Sequence, residues 1–271
     1  MDMSKKFKVA AIQMICLTGD VEHNLAKAEQ MIHQAAEAGA ALIVIPELFD
    51  TGYRVEASDR ELATTIPGPT TERMAALCRK LGIFLAGAII EAYEGLLYDT
   101  AVLVGPEGVI GFYRKSALWD RENARFSKGD GQYDAVFDIG LCKIGMQVCY
   151  EVGFPENARI LALNGADIIV YPSAFGKARY YAWDVASRAR ALENGNYIVA
   201  CNRAGTEKNE TEFCASSRIV GPKGELLAAA RTEGDEVIIA EVDLDRIQEQ
   251  REAVPYLKDL KRNVIADYYR E

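Results

Sequence analysis

The sequence predicts an α/β fold built on mixed β-sheets, with residues 1–271 forming one domain. Three observations carry this. Short apolar runs alternate with stretches of helical period along the chain. Hairpin-like pairs with GPEG and GPKG turns interrupt the alternation, so the sheets hold antiparallel as well as parallel strands. The texture is even: no linker, low-complexity block or fixed-period repeat divides the chain, and 49% hydrophobic residues supply ample material for a core.

Taken in order, FKVAAIQM (7–14) reads as a buried strand. Asp20 caps a helix over 21–38, with Val21, Leu25, Ala28, Ile32 and Ala35 at helical spacing and Gly39 as its stop. ALIVIPE (41–47) is a β-branched strand ending in Pro-Glu, and a helix fits 70–81, stopped by Gly82. IFLAGAIIEAY (83–93) and YDTAVLVGPEG (98–108) read as neighbouring strands, and GVIGFYRK (108–115) continues the sheet. VFDIG and KIGMQVC form a strand pair. Pro155 opens a helix to about Leu163, ended by Asn164-Gly165. ADIIVYP (166–172) is a strand, 180–193 a helix and NYIVACN (196–202) a strand. SSRIVGPKGELLAAA (216–230) is a hairpin, EVIIAEVD (236–243) a last strand and 244–252 a helix, followed by a tail. The strands are nearly all apolar, so each sheet is expected to be covered on at least one face.

The formal charge of −9 makes the chain a poor partner for a phosphate backbone, and no nucleic-acid partner is expected. KDLKR (258–262) reads as a solvated helix face. No run reaches the ~18 apolar residues of a membrane span, and the start of the chain reads as an opening strand, not a secretory signal. Six cysteines (16, 78, 142, 149, 201 and 214) are widely spread without a CxxC pair. They are expected to be reduced thiols of a cytoplasmic protein.

Common cofactor signals fail. Gly129 and Gly131 are followed by Asp134 where GxGxxG needs its third glycine, and GxxxxGK is missing. The only histidines, His23 and His33, fall on the first helix, which leaves a Cys–His or Ser–His–Asp site without its base and a zinc site without its usual ligands. No cofactor and no metal are expected. Three chemistry-bearing residues remain at strand ends: Glu47, Lys115 and Cys149. In α/β sheets, ligand sites gather at the carboxyl ends of strands. Each residue alone has an ordinary explanation as a solvated Glu, a snorkelling Lys or a core Cys. Together they can do what a Cys–His pair does. A buried Glu with a raised pKa serves as base for the thiol. A nearby ammonium favours the thiolate and later faces an oxyanion.

The chain resembles the nitrilase superfamily of carbon–nitrogen hydrolases. The matching stretches are IPELFDTGY (45–53), YRKSALWDRENARFSKGD (113–130), CYEVGFPENARILALNGADIIVYPSA (149–174), RARALENGNYIVACNRAG (188–205) and FCASSRIVGPKGELLA (213–228). The resemblance implies a four-layer α-β-β-α sandwich, with two mixed sheets packed face to face. It implies Glu47, Lys115 and Cys149 as catalytic residues, with Glu122, seven residues past Lys115, as a fourth. Glu151 is the competitor for that place and is expected to support the nucleophile turn instead. By motif position, Tyr53, Trp119, Tyr150, Ser173, Ala174 and Phe175 are implied to bind substrate. The expected reaction is hydrolysis of a small aliphatic amide through a Cys acyl-enzyme, because the stretch from Lys115 to Cys149 is compact. A nitrilase or N-carbamoyl amine hydrolase is the alternative. A non-catalytic binding or assembly module is a further one, against which the intact Glu47, Lys115 and Cys149 argue. The tail 253–271, apolar and aromatic, is expected at the interface of a homodimer or larger homo-oligomer.

Overall fold

A computed structural model describes residues 6–131 and 135–261. The first sheet is built from β1 (Lys6–Gln13), β2 (Ala40–Glu47), β3 (Phe84–Tyr93), β4 (Leu96–Gly105), β5 (Gly108–Arg114) and the late strand β14 (Glu236–Asp243), in the order β14-β1-β2-β3-β4-β5. Three helices precede β4: α1 (Val21–Glu37), the short α2 (Asp59–Leu62) and α3 (Pro69–Leu81). The second sheet runs β13-β12-β9-β8-β7-β6. Its strands are β6 (Val136–Asp138), β7 (Lys143–Met146), β8 (Ile168–Ser173), β9 (Tyr197–Asn202), β12 (Arg218–Val220) and β13 (Leu226–Ala229), with α4 (Pro155–Leu163) and α5 (Tyr180–Asn194) as crossovers. A small hairpin of β10 (Thr206–Glu207) and β11 (Thr211–Glu212) stands apart. Helices α6 (Asp245–Ala253) and α7 (Tyr256–Asp259) follow.

Both sheets are mixed. β1-β2-β3 and β7-β8-β9 are parallel at the centre, and antiparallel strands flank them. Period-2 alternation sorts the side chains of the first sheet. Val9, Ala11, Leu42, Val44, Ala86 and Ala88 face a core shared with the second sheet. Ala10, Ile12, Ile43, Ile45 and Leu85 face α1 and α3 across a second core. On the far side, Ala158, Leu161, Trp183 and Ala191 of α4 and α5 close the second sheet. The layers are therefore helix, sheet, sheet, helix. Small residues on the inner face of the first sheet let the two sheets approach closely.

The helix stops follow the sequence. Asp20 accepts from the His23 N–H at 3.1 Å as N-cap of α1. Gly82 and Gly195 end α3 and α5 in the left-handed conformation. The short α2, the hairpin β10–β11 and α7 are additions to the sequence expectation. Each is too short to show a period of its own. Of the tail, 262–271 lie outside the described residues. No helix among the described residues is long and apolar enough to cross a membrane.

Candidate active site

The strand directions place the site. β2 and β3 are parallel, and β5 lies two antiparallel steps from β3, so β2, β3 and β5 all end on the same side. Glu47 is the last residue of β2 and Lys115 follows the last residue of β5. In the second sheet β7 ends at Met146, earlier than the apolar run KIGMQVC implied, and Cys149 opens a 3-10 turn over Cys149–Gly153. Cys149 sits at φ +49°, a left-handed conformation that is costly for a side-chain-bearing residue. Glu151 holds that turn. One carboxylate oxygen accepts from the Val148 N–H at 2.9 Å. The other accepts from the Tyr113 hydroxyl at 2.7 Å and from the N–H groups of Ser116 and Ala117 at 3.0 and 3.1 Å. One buried carboxylate thus ties the turn carrying Cys149 to the strand end carrying Lys115.

Lys115 is fully buried, and its ammonium is surrounded by carboxyls. It donates to Glu47 Oε1 at 2.6 Å, to Glu122 Oε1 at 3.0 Å and to Asp99 Oδ2 at 3.3 Å. The second oxygen of Glu47 accepts from the Ala174 N–H at 2.6 Å. Glu122 also accepts from the Tyr53 hydroxyl and the Trp119 N–H, each at 2.7 Å. Oxygens of Glu47, Asp99 and Glu122 lie within 4.8 Å of one another, a spacing that could hold a cation; the Lys115 ammonium already stands among them.

The electrostatics depart from the sequence expectation at two points. Burial pushes the Glu47 carboxyl up, but the Lys115 charge and the hydrogen bonds it receives outweigh this and hold it below its ordinary value. Burial, and then the Glu47 charge, push the Cys149 thiol well above its ordinary value despite the pull of Lys115. At rest the pair is therefore a carboxylate and a neutral thiol, not a protonated Glu beside a thiolate. Burial opposes the charge on Lys115, but Glu122 and Glu47 more than restore it, and the ammonium stays charged.

A cavity of about 450 Å³ opens over Cys149. Tyr53, Trp119, Tyr150, Ala174 and Phe175 line it, and Glu122 reaches it from below. Ser173 does not line it; its side chain is fully buried and donates to the Tyr171 carbonyl at 3.0 Å. Trp119 packs on Tyr150 with ring centroids 4.8 Å apart, and the Arg179 guanidinium covers the Trp119 ring at 4.2 Å. Three residues that sequence reasoning passed over support the site. Asp99 touches Lys115; the signal was an acid inside the apolar strand YDTAVLV. Arg203 pairs with Glu207 and donates to the Leu48 carbonyl at 3.0 Å, while Glu207 accepts from the N–H groups of Tyr53 and Arg54. These two hold the loop that carries Tyr53, and nothing local in the sequence marks them.

The carbon-nitrogen hydrolase family model matches residues 8–252. The chain is 39% identical to a nitrilase of Pyrococcus abyssi over 97% of this chain and 98% of that one. It is 34% identical to an omega-amidase of Xenopus tropicalis over 96% of each. A crystal structure of an amidase from Nesterenkonia sp. superposes with a TM-score of 0.85 at 26% identity, covering 97% of this chain and 96% of the other. A fold of two six-stranded mixed sheets between helices, with a buried Glu and Lys at strand ends and a buried Cys on the turn after β7, accords with these likenesses: the chain belongs to the nitrilase superfamily of carbon–nitrogen hydrolases.

Proposed function

We propose that this hydrolase is an amidase. It converts a small aliphatic amide and water into the carboxylic acid and ammonia through an acyl-enzyme on Cys149. The observation that carries the reading is the cavity over Cys149 with the Glu47–Lys115 pair buried beside it, an arrangement in which Lys115 holds the carboxyl below its ordinary value and burial holds the thiol above its own. A base is ready and the nucleophile still holds its proton, as general-base activation requires.

In this mechanism Glu47 takes the Sγ proton as sulfur attacks the amide carbon. The oxygen of the tetrahedral intermediate receives an N–H from Lys115 and the backbone N–H of Tyr150, in the first turn of the 3-10 helix. Glu47 then passes its proton to the leaving nitrogen, and ammonia departs. A water that loses its proton to Glu47 attacks the thioester, and collapse of that intermediate releases the acid and restores the thiol. Glu122, held by Lys115, Tyr53 and Trp119, fixes the ammonium and the amide between them. Amidase names among the relatives and the short path from Lys115 to Cys149 support an amide over a nitrile. The likeness to the Pyrococcus abyssi nitrilase favours a nitrile as the second reading.

Ammonia release across small amides, nitriles and N-carbamoyl amines, with wild type beside Cys149→Ala, tests the proposal. The expected result is turnover of amides by the wild type and none by a folded Cys149→Ala, which should lose on the order of 1 kcal/mol of stability. Turnover of nitriles alone would move the assignment to a nitrilase, and amine with carbon dioxide to a carbamoyl hydrolase. Silence on every substrate would leave a binding module.

Self-association is proposed as well. Tyr181 and Val185 on α5 are 71% and 66% exposed, and Tyr256 of α7, a helix in contact with α5, is exposed as well. This supports the expectation that the tail lies at a subunit interface.

A further inference from the structure

We propose that Asp99 is a positioning residue of this site: a buried neutral acid that leaves one N–H of Lys115 loosely held for the developing oxyanion. The proposal rests on the reading of Glu47 as base and Lys115 as oxyanion donor.

The argument is an inventory of charge and hydrogen bonds. Three carboxyls surround one ammonium, and all four side chains are buried. Were every acid ionised, the cluster would carry two uncompensated negative charges away from water, which is strongly unfavourable. One proton relieves most of this, and the geometry says where it resides. Glu47 accepts a 2.6 Å bond on each oxygen. Glu122 accepts from Lys115, Tyr53 and Trp119. Asp99 receives only the 3.3 Å contact from Lys115, its carboxyl lies against that of Glu47, to which it can donate only when protonated, and no N–H or hydroxyl donates to its Oδ1. Buried polar atoms are rarely left so. A carboxylate that poorly solvated by its surroundings is the one that stays protonated.

The neighbours agree. The ionisable groups acting on Asp99 are Glu47 from β2, Lys115 at the end of β5 and Glu122 from the 3-10 turn after it. Glu91 of β3 and Arg114 of β5 are engaged with each other. Burial, and then the Glu47 charge, raise the Asp99 carboxyl well above its ordinary value. The consequence falls on Lys115. Two of its N–H groups are firmly held by Glu47 and Glu122, and the third has only a neutral partner at the edge of bonding distance. That third N–H is the one that can turn to the substrate oxygen without breaking a strong ion pair. An ionised Asp99 would hold it back.

The test compares wild type, Asp99→Asn and Asp99→Leu by infrared spectroscopy and kinetics. The wild type at neutral pH should show a protonated-carboxyl C=O band that shifts on [13C]aspartate labelling and is missing in Asp99→Asn. Asp99→Leu should lower kcat by about tenfold or more with little change in KM, and Asp99→Asn should restore most of it. Because an ionised Asp99 would hold the N–H back, wild-type activity should fall at alkaline pH as Asp99 loses its proton, and Asp99→Asn, which cannot ionise, should show that fall only at higher pH. The pH profile of Cys149 alkylation by iodoacetamide should follow the same order without any substrate. An unchanged band in Asp99→Asn, or a loss in Asp99→Asn equal to that in Asp99→Leu, overturns the proposal. If Asp99→Asn does not fold, the labelled wild type decides. A protonated-aspartate band persisting well above the value of about 6 to which burial raises Asp50 supports the proposal, and its absence overturns it. If no amide is hydrolysed, the amidase reading fails while the band still reports on Asp99.

Discussion

At rest Cys149 holds its proton and Glu47 does not, and this difference sets the direction of the first proton transfer in the proposed mechanism. Glu47 must be ionised to act as base, and Lys115 holds its pKa down. Activity should therefore fall toward acid only below the ordinary carboxylate range, which a pH profile of kcat/KM measures. The two glutamates that the sequence left in competition now have different surroundings. Glu122 touches Lys115 and reaches the cavity, whereas Glu151 accepts bonds from four residues that shape the two strand ends. Glu122→Gln should lower kcat by about 10²–10³ and leave the fold intact. Glu151→Gln turns one acceptor oxygen into a donor facing donors, and should lose about 1–3 kcal/mol of stability. Steady-state kinetics and thermal melts of the two variants check this. A Glu151→Gln protein that melts like the wild type but is inactive would reverse the assignment.

At the scale of elements, the strands were legible because burial on both faces writes continuous apolar runs, as in IIVYPS of β8. Their ends were less legible. Gln147 and Val148 are fit for a strand, yet the chain leaves β7 at Met146 to form the turn that Glu151 holds. That choice depends on a carboxylate bonded to a segment over thirty residues away, which no local pattern contains. The segment after Lys115 is fixed by close backbone packing. Gly129 donates to the Lys115 carbonyl at 2.9 Å, and a Cβ at Gly129 would stand 2.1 Å from the Arg114 carbonyl oxygen. Gly129→Ala must therefore push this backbone aside, at about 1–3 kcal/mol, with a lower kcat from a displaced Lys115. Gly153→Ala, with nothing within 4 Å of the added carbon, is the control and should stay within about ±0.5 kcal/mol. Melting curves and kcat for both separate crowding from a general intolerance to alanine.

For the whole molecule, the net charge of −9 favours solubility, yet α5 carries an apolar stripe toward solvent. Tyr181 and Val185 lie four residues apart and share a face of the helix. Val185→Glu should weaken the proposed self-association, seen as a lower mass in sedimentation or light scattering at equal concentration. Val185 does not line the cavity, so the folded subunit should keep its Cys149 alkylation rate. An unchanged mass would place the interface elsewhere.

By itself the sequence determined the alternation of strands and helices, the helix stop at Gly82, and the residues Glu47, Lys115 and Cys149 as candidates. Each of these is written locally, in side-chain period, in glycine's tolerance of the left-handed conformation, or in a motif block. Only the tertiary structure decided which carboxyls meet the ammonium. Asp99, Glu47 and Glu122 come from three separate elements and converge because β2 and β5 end, and the antiparallel β4 begins, on one side of the sheet. It also decided the charge states. Reading a raised Glu and a favoured thiolate from the residue types put each shift in the wrong direction. A pKa follows from burial and from the distances between charges, and those exist only once the two sheets have packed.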